Sequence, residues 1–183
     1  MSKYLPTWVS LSVFDIDYDT LYAKGKRIIL FDLDNTLISY FESVASIRLA
    51  TLGKKLLDMG FKTYVLTNNH GSRIEKFMKS FPATSYGSHM QKPFAYKIKS
   101  FLKTQEIYDY SQIVMIGDQL VTDIKCANRL KVDSVLIKSI SRESEHFYTR
   151  INRLREKSIV KKIAKKDASK AALIWQVVSK EKK

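Results

Sequence analysis

Short apolar runs recur along the chain, and each ends in polar residues. Four of them have the length and composition of strands buried on both faces: 27–31, 62–66, 113–116 and 134–137. A fifth strand is predicted near 83–86. Segments with apolar residues at helical spacing separate the strands: 43–59, 72–80, 93–103 and 121–129. Strands that alternate with helices predict an α/β fold with a mostly parallel central sheet.

Three polar residues follow the ends of predicted strands, namely Asp32, Thr67 and Asp118. In open α/β sheets, ligands bind at this edge. A second carboxylate, Asp34, lies two residues after Asp32, and on an extended segment the two side chains point the same way. Carboxylate oxygens suit Mg²⁺, and an aspartate can also attack phosphorus to form an aspartyl-phosphate.

A phosphorylated substrate is dianionic and would be repelled by bare carboxylates. We therefore expect Mg²⁺ and Lys92 to neutralise the carboxylate cluster. Asp118 is placed to add a metal ligand. The Thr67 hydroxyl and the Asn68 backbone N–H are predicted to hold phosphate oxygens.

Four short motifs occur in a fixed order, and together they resemble those of the haloacid dehalogenase (HAD) superfamily of phosphohydrolases. They are DLDNTL, TNN, KP and GDQLVTD, which begin at residues 32, 67, 92 and 117. The resemblance implies a HAD-like Rossmannoid fold, which is a three-layer sandwich around the parallel sheet. It also implies an enzyme that hydrolyses phosphate monoesters.

The resemblance assigns a role to each motif residue. Asp32 corresponds to the nucleophile, and Asp34 to the general acid and base. Thr67 and Lys92 correspond to the phosphate-holding pair. Mg²⁺ is expected on the Asp32 carboxylate, the Asp34 backbone carbonyl and Asp118.

Asp123 has two interpretations. It supports the metal site or Lys92 from behind, or it caps the helix that follows it.

An earlier acidic stretch contains Asp15, Asp17 and Asp19. A calcium loop needs Gly at its sixth position and Glu at its twelfth, where this chain has Thr20 and Lys26, so a calcium site is not expected. The segment SVFDID, together with the later TRINRLREK, instead resembles the YqeG-type phosphatases of HAD subclass IIIA. This resemblance implies one phosphatase domain over 1–160, with a family-specific N-terminal segment at 1–25 and a basic tail at 161–183.

The motif spacing bears on the substrate. Only 35 residues separate Asp32 from Thr67, and 25 separate Thr67 from Lys92, so we expect no inserted cap and an open site. An open site favours a large substrate that excludes water itself, such as a lipid head group, a nucleic-acid end or a protein. YqeG-type proteins are similar to a mitochondrial enzyme that removes the terminal phosphate of phosphatidylglycerophosphate. That anionic lipid is therefore the expected substrate.

Positive charge is concentrated at the C-terminal end. Of the net charge of +14, residues 138–183 carry 14 Lys and Arg against 5 Asp and Glu. Such a segment suits nucleic acid, an acidic membrane or ribosomes, or it is simply solvated. The apolar stretch 171–178 either lies at a membrane interface or packs on the domain.

Two other functions stay open. One is a phosphatase for soluble or polynucleotide phosphates, and the other is a non-catalytic ribosome- or nucleic-acid-associated binding protein. Because the catalytic motifs are intact, an enzyme is favoured. Cys126 is the single cysteine, and no apolar run approaches the roughly 20 residues of a membrane span. A cytoplasmic protein, peripheral to the inner face of the membrane, is expected.

Overall fold

Six parallel strands form one sheet in the computed structural model, which describes residues 3–69, 71–143, 145 and 147–179. The strands are β1 (Trp8–Ser10), β2 (Ile28–Asp32), β3 (Lys62–Leu66), β4 (Ser85–Gly87), β5 (Ile113–Gly117) and β6 (Asp133–Ile137). Their order across the sheet is β1-β6-β5-β2-β3-β4. The sheet is open, and β2 lies near its centre between β5 and β3.

Among the described residues, seven α-helices cover the two faces of the sheet. They are α1 (Tyr18–Ala23), α2 (Ile47–Asp58), α3 (Gly71–Met78), α4 (Tyr96–Thr104), α5 (Lys125–Leu130), α6 (Phe147–Ala164) and α7 (Ala168–Val178). Successive side chains of a strand point to opposite faces, so Ile29 and Phe31 of β2 pack with α1, α2 and α3. Leu30 packs with α4 and α5 on the other face. The predicted three-layer α/β sandwich is confirmed.

The predicted strands agree with the structure to within about two residues, but two helices begin later than expected. α2 begins at Ile47 rather than near 43, because the Ser46 side chain caps the helix by accepting a hydrogen bond from the Leu49 N–H. α4 begins at Tyr96, and Pro93 lies in the turn before it instead of in its first turn. The edge strand β1 and the helix α1 were not predicted.

The early acidic stretch belongs to this N-terminal part. Asp17 is the N-cap of α1, and its carboxylate accepts hydrogen bonds from the Thr20 N–H and hydroxyl. Asp15 accepts a hydrogen bond from the Ser12 hydroxyl. Two of the three acidic residues therefore stabilise local turns.

The C-terminal helices α6 and α7 pack against each other and against the sheet. Ala171, Ile174 and Val177 of α7 are buried beside Leu136 of β6, so the apolar stretch 171–178 contributes to the core. The division predicted at residue 160 stays a prediction, and that position lies inside α6. Among the described residues, no helix is both long and apolar enough to cross a membrane.

Candidate active site

Three adjacent strands bring the predicted site residues to the same edge of the sheet. Asp32 is the last residue of β2, and Thr67 and Asp118 directly follow β3 and β5. The register pairs Asp32 with Leu66 and Phe31 with Ile116, so the three strands end at the same level. All three polar side chains are buried.

Lys92 links two of the carboxylates at this edge. Its ammonium lies 2.5 Å from Asp32 Oδ1 and 2.9 Å from Asp123 Oδ1, and it donates to the Leu66 carbonyl at 3.2 Å. Asp32 also accepts a hydrogen bond from the Thr36 hydroxyl. A buried cation is thus held between two buried carboxylates.

Asp32, Asp118 and Asp123 form an acidic cluster in which one oxygen from each lies within 4.8 Å of the others. Asp118 Oδ1 is buried and has no hydrogen-bond partner among the residues that the structure describes. A buried carboxylate oxygen normally has a partner, and an oxygen-only donor set suits a divalent cation. These residues therefore fit a metal ion.

Burial sets the electrostatics of the cluster. Loss of solvation raises the pKa of Asp32 well above its usual value, and Lys92 only partly offsets this effect. Burial likewise raises the pKa of Asp118, against the attraction of Arg153. For Lys92, burial opposes the charged form, but Asp123 and Asp32 outweigh it and raise the pKa of the ammonium. The cluster therefore favours a further positive charge beside the carboxylates.

Asp34 is held by three donors. The Thr67 hydroxyl and the Asn69 amide each donate to its Oδ2 at 2.8 Å, and the Arg73 guanidinium bonds its Oδ1. Arg73 also donates to the carbonyls of Ser39 and Glu42, so it ties the loop after β2 to this carboxylate.

Asn68 uses its side chain to position Lys92. Its Oδ1 accepts from the Lys92 N–H at 2.7 Å, and its Nδ2 donates to the Lys92 carbonyl at 2.9 Å. These two hydrogen bonds join the loop after β3 to the loop that carries Lys92. The structure therefore brings Asp32, Asp34, Thr67, Asn68, Lys92, Asp118 and Asp123 together.

Asp123 lies in the turn of π-helical form at Leu120–Ile124, just before α5. Its Oδ2 accepts from the Gln119 N–H at the start of this turn, while its Oδ1 pairs with Lys92. The support of Lys92 is therefore observed, but the capping role is wrong, because Ile124 is the N-cap of α5 and has no side-chain cap hydrogen bond.

The sequence analysis missed a buried clamp from α6. Arg153 donates to the Asp118 carbonyl at 2.8 Å and bonds the Asp118 carboxylate, while Glu145 and Glu156 accept from the same guanidinium. Glu156 also accepts from the Leu120 N–H. Burial opposes the charge of Arg153, yet Asp118 and the two glutamates outweigh it and raise the pKa of the guanidinium.

The sequence signals for this clamp are the segment TRINRLREK, which contains Arg153 and Glu156, and the three-residue spacing of these two side chains on one helix. Arg73 was missed as well, because nothing in the segment 71–78 points to Asp34. His70 and His146 lie outside the described residues.

Comparison with known proteins agrees with this site. Residues 89–163 match the family model described as HAD-hydrolase-like. The chain is 27% identical over 163 residues to the Bacillus subtilis protein named "Probable phosphatase YqeG", covering 89% of this chain and 93% of that protein. The chain is therefore similar to a probable phosphatase over most of its length, and residues 89–163 resemble HAD-type hydrolases.

Solved structures share the fold of this chain. An uncharacterized Listeria monocytogenes protein superposes with a TM-score of 0.53 at 18% identity, covering 66% of this chain and 84% of that chain. A Legionella pneumophila protein assigned to subfamily III A of the HAD hydrolases gives 0.50 at 18% identity, covering 68% and 71%. The 3-deoxy-D-manno-octulosonate 8-phosphate phosphatase of Yersinia pestis gives 0.50 at 14% identity, covering 70% and 72%.

Proposed function

We propose that the chain is a HAD-type phosphatase that depends on Mg²⁺ and uses Asp32 as its nucleophile. The observation that carries the proposal is the position of Asp32. Its carboxylate lies 2.5 Å from the Lys92 ammonium, inside an acidic cluster that contains an unpartnered oxygen of Asp118.

Mg²⁺ would be held by the Asp32 and Asp118 carboxylates and the Asp34 backbone carbonyl, with Asp123 supporting Lys92 from behind. The oxygen-only donor set favours Mg²⁺ over metals that prefer nitrogen or sulfur ligands. When bound, the ion would neutralise the negative charge that phosphate brings to the carboxylates.

In the proposed reaction, an oxygen of the Asp32 carboxylate attacks phosphorus. An Asp32–phosphorus bond forms while the bond from phosphorus to the leaving oxygen breaks, and Asp34 gives that oxygen a proton. Water then attacks the aspartyl-phosphate, and Asp34 takes a proton from it. Inorganic phosphate leaves, and the Asp32 carboxylate is restored.

Lys92 and Thr67 hold the phosphate in this scheme. The Lys92 ammonium already contacts Asp32, so it is within reach of oxygens on the phosphorus that Asp32 attacks. The Thr67 hydroxyl donates to Asp34, and it can turn to a phosphate oxygen when substrate binds. Asn68 contributes by fixing the Lys92 peptide, in addition to the backbone contact expected from its position.

We further propose that the substrate is phosphatidylglycerophosphate at a membrane surface. Arg73 ties the loop after β2 to Asp34. Three large apolar side chains on or just after this loop are exposed, namely Phe41 by 80%, Val44 by 59% and Ile47 by 89%. Exposed apolar residues near a site mouth are typical of a surface that contacts lipid or protein. Together with the resemblance to YqeG-type enzymes, they support a lipid substrate.

The first test is phosphate release from phosphatidylglycerophosphate in mixed micelles with Mg²⁺, beside sugar phosphates and phosphorylated oligonucleotides. Asp32→Asn is the blank, and we expect lipid turnover to fall at least about 10³-fold in it, because loss of a nucleophile removes the covalent route. Turnover of Asp32→Asn within tenfold of wild type would overturn the nucleophile assignment. Selective turnover of another substrate would overturn the lipid proposal and leave the nucleophile intact.

A binding measurement tests the membrane contact separately. Vesicles of phosphatidylglycerol and phosphatidylcholine should sediment the wild-type protein, and the double variant Phe41→Ser/Ile47→Ser should bind at least about tenfold more weakly. Tyr108→Ser is the matched control, since Tyr108 is 72% exposed on the loop before β5. Equal binding by all three proteins would remove the loop 39–47 from the membrane contact.

A further inference from the structure

A basic groove lies on the surface between the N-terminal segment and the C-terminal end of α6. It has a volume of about 1040 Å³, and its cationic lining consists of Lys3, Arg155, Lys162, Lys165 and Lys166. Leu5 precedes β1, so the groove opens toward the amino ends of the strands. Asp32 and Asp118 lie at the carboxyl ends. The groove is therefore separate from the catalytic site.

The groove carries an excess of positive charge. Over the described ranges, none of its five cations has a carboxylate within ion-pair distance. The one acidic residue in the lining is Asp167, and its carboxylate caps α7 by accepting from the Lys170 N–H and the Ser169 hydroxyl. The groove thus presents a positive field to any ligand that enters it.

The cations form a row rather than a point. Arg155 and Lys162 are seven residues apart on α6, which places them on the same face about 10 Å apart. Lys165 and Lys166 directly follow the end of α6 at Ala164 and also line the groove. A single phosphate group needs cations that converge on one position. A row of this length instead matches several phosphates along a chain, which repeat about every 3.4 Å in a stacked strand.

The rest of the lining is aromatic and apolar. The Lys3 and Lys125 ammonium groups lie over the Tyr4 ring, at 5.4 Å and 5.7 Å from its centroid. Leu5, Ile159 and Ile163 also line the groove. Basic side chains beside an aromatic ring are the usual composition of a groove that binds single-stranded nucleic acid, where the backbone meets cations and bases meet aromatic rings.

We propose that the basic groove binds single-stranded nucleic acid. A membrane fits it less well, because a bilayer surface is flat and cannot follow a concave row. The apolar residues of the groove are also partly or wholly buried, so they cannot insert into lipid. The proposal concerns a second site on the molecule and does not depend on which phosphate ester the catalytic site hydrolyses.

The test is fluorescence anisotropy with a fluorescein-labelled 12-nucleotide single-stranded RNA of mixed sequence, titrated with the full chain at several salt concentrations. The triple variant Arg155→Glu/Lys162→Glu/Lys166→Glu removes the row. Its matched control is Lys54→Glu/Lys55→Glu/Lys76→Glu, which changes the net charge equally on α2 and α3 at the opposite face of the sheet. Circular dichroism and thermal melting establish that each variant is folded.

We expect the groove variant to bind RNA at least about tenfold more weakly than wild type, and the control to stay within about twofold. The slope of log K against log salt should become less steep by about 2, since each phosphate contact to a single strand contributes about 0.7. An equal loss of RNA affinity in both variants would show that binding depends only on net charge, and would overturn the site. The absence of RNA binding would also overturn the site. So would a result in which the groove substitutions weaken sedimentation with phosphatidylglycerol vesicles but leave RNA binding unchanged.

Discussion

The Arg153 guanidinium of α6 bonds both the backbone carbonyl and the carboxylate of Asp118, which follows β5. Glu145 and Glu156 hold the guanidinium from its other sides, and all four residues are buried. A C-terminal helix thus fixes the loop that is proposed to carry a metal ligand. Buried ion pairs therefore join α6 to the edge of the sheet that carries the candidate site.

Replacement of Arg153 by Leu should destabilise the fold strongly. Three buried carboxylates would lose their shared cation, and removing one partner of a buried ion pair costs about 3–5 kcal/mol. Urea unfolding measures the free energy. The control is Arg155→Leu, two residues further along α6 on its exposed side, and we expect it to change stability by no more than about 0.5 kcal/mol. Similar small effects of both substitutions would contradict the clamp.

The clustering of polar residues at one edge of the sheet could be predicted from the sequence for a simple reason. Asp32, Thr67 and Asp118 follow apolar runs, and parallel strands place their carboxyl ends at one edge, so local pattern sufficed. Arg73 and Arg153 could not be found in this way. Each reaches a carboxylate more than 30 positions away in the chain, and only the packing of α3 and α6 brings them there.

The same reasoning explains the other differences between prediction and structure. β1 has three half-buried residues at the sheet edge, so its apolar pattern is too short to indicate a strand. The stretch 171–178 was ambiguous because an apolar helix face suits both a core and a membrane interface. Its contact with Leu136 and α6 decided between them.

Asp32→Asn should stabilise the metal-free protein. Because burial raises the pKa of Asp32, the folded protein keeps this proton to a higher pH than the unfolded chain does. Between those two pKa values the folded state binds more protons, so the free energy of unfolding falls as pH rises. At pH 7 in EDTA the neutral amide should therefore raise stability, because it removes a buried charge while Asp123 still pairs with Lys92.

The difference in stability between Asp32→Asn and wild type should disappear near pH 4. At that pH the Asp32 carboxyl is protonated in the folded protein, and the pH is close to the pKa of this carboxyl in the unfolded chain. Urea unfolding at the two pH values measures it. Asp58→Asn serves as the control, since Asp58 is exposed at the end of α2. An Asp32→Asn protein less stable than wild type at both pH values would show that the buried charge does not oppose folding.

Mg²⁺ should stabilise the wild-type protein, and this effect should require Asp118. A ligand that binds only the folded state adds about 2.7 kcal/mol to the free energy of unfolding at 100 times its dissociation constant. In Asp118→Asn the gain should fall below half of this value, because one cluster carboxylate becomes a weaker amide ligand. Thermal melting with and without MgCl₂ measures the gain, with Asp58→Asn again as control. If Mg²⁺ stabilised Asp118→Asn as much as wild type, the ion would not bind at Asp118.

Gly117 leaves room for Asp123, and filling that room should disturb the cluster. A Cβ at Gly117 would lie 2.5 Å from both Cβ and Cγ of Asp123, which is far inside contact distance. Gly117→Ala should therefore push Asp123 away from Lys92, destabilise the fold by about 1–3 kcal/mol and weaken the response to Mg²⁺. Gly71→Ala is the matched control, because its Cβ would meet only the Glu75 carboxylate at 3.5 Å. If Gly117→Ala matched this control in both urea unfolding and Mg²⁺ response, the tight contact between β5 and the turn that carries Asp123 would not exist in solution.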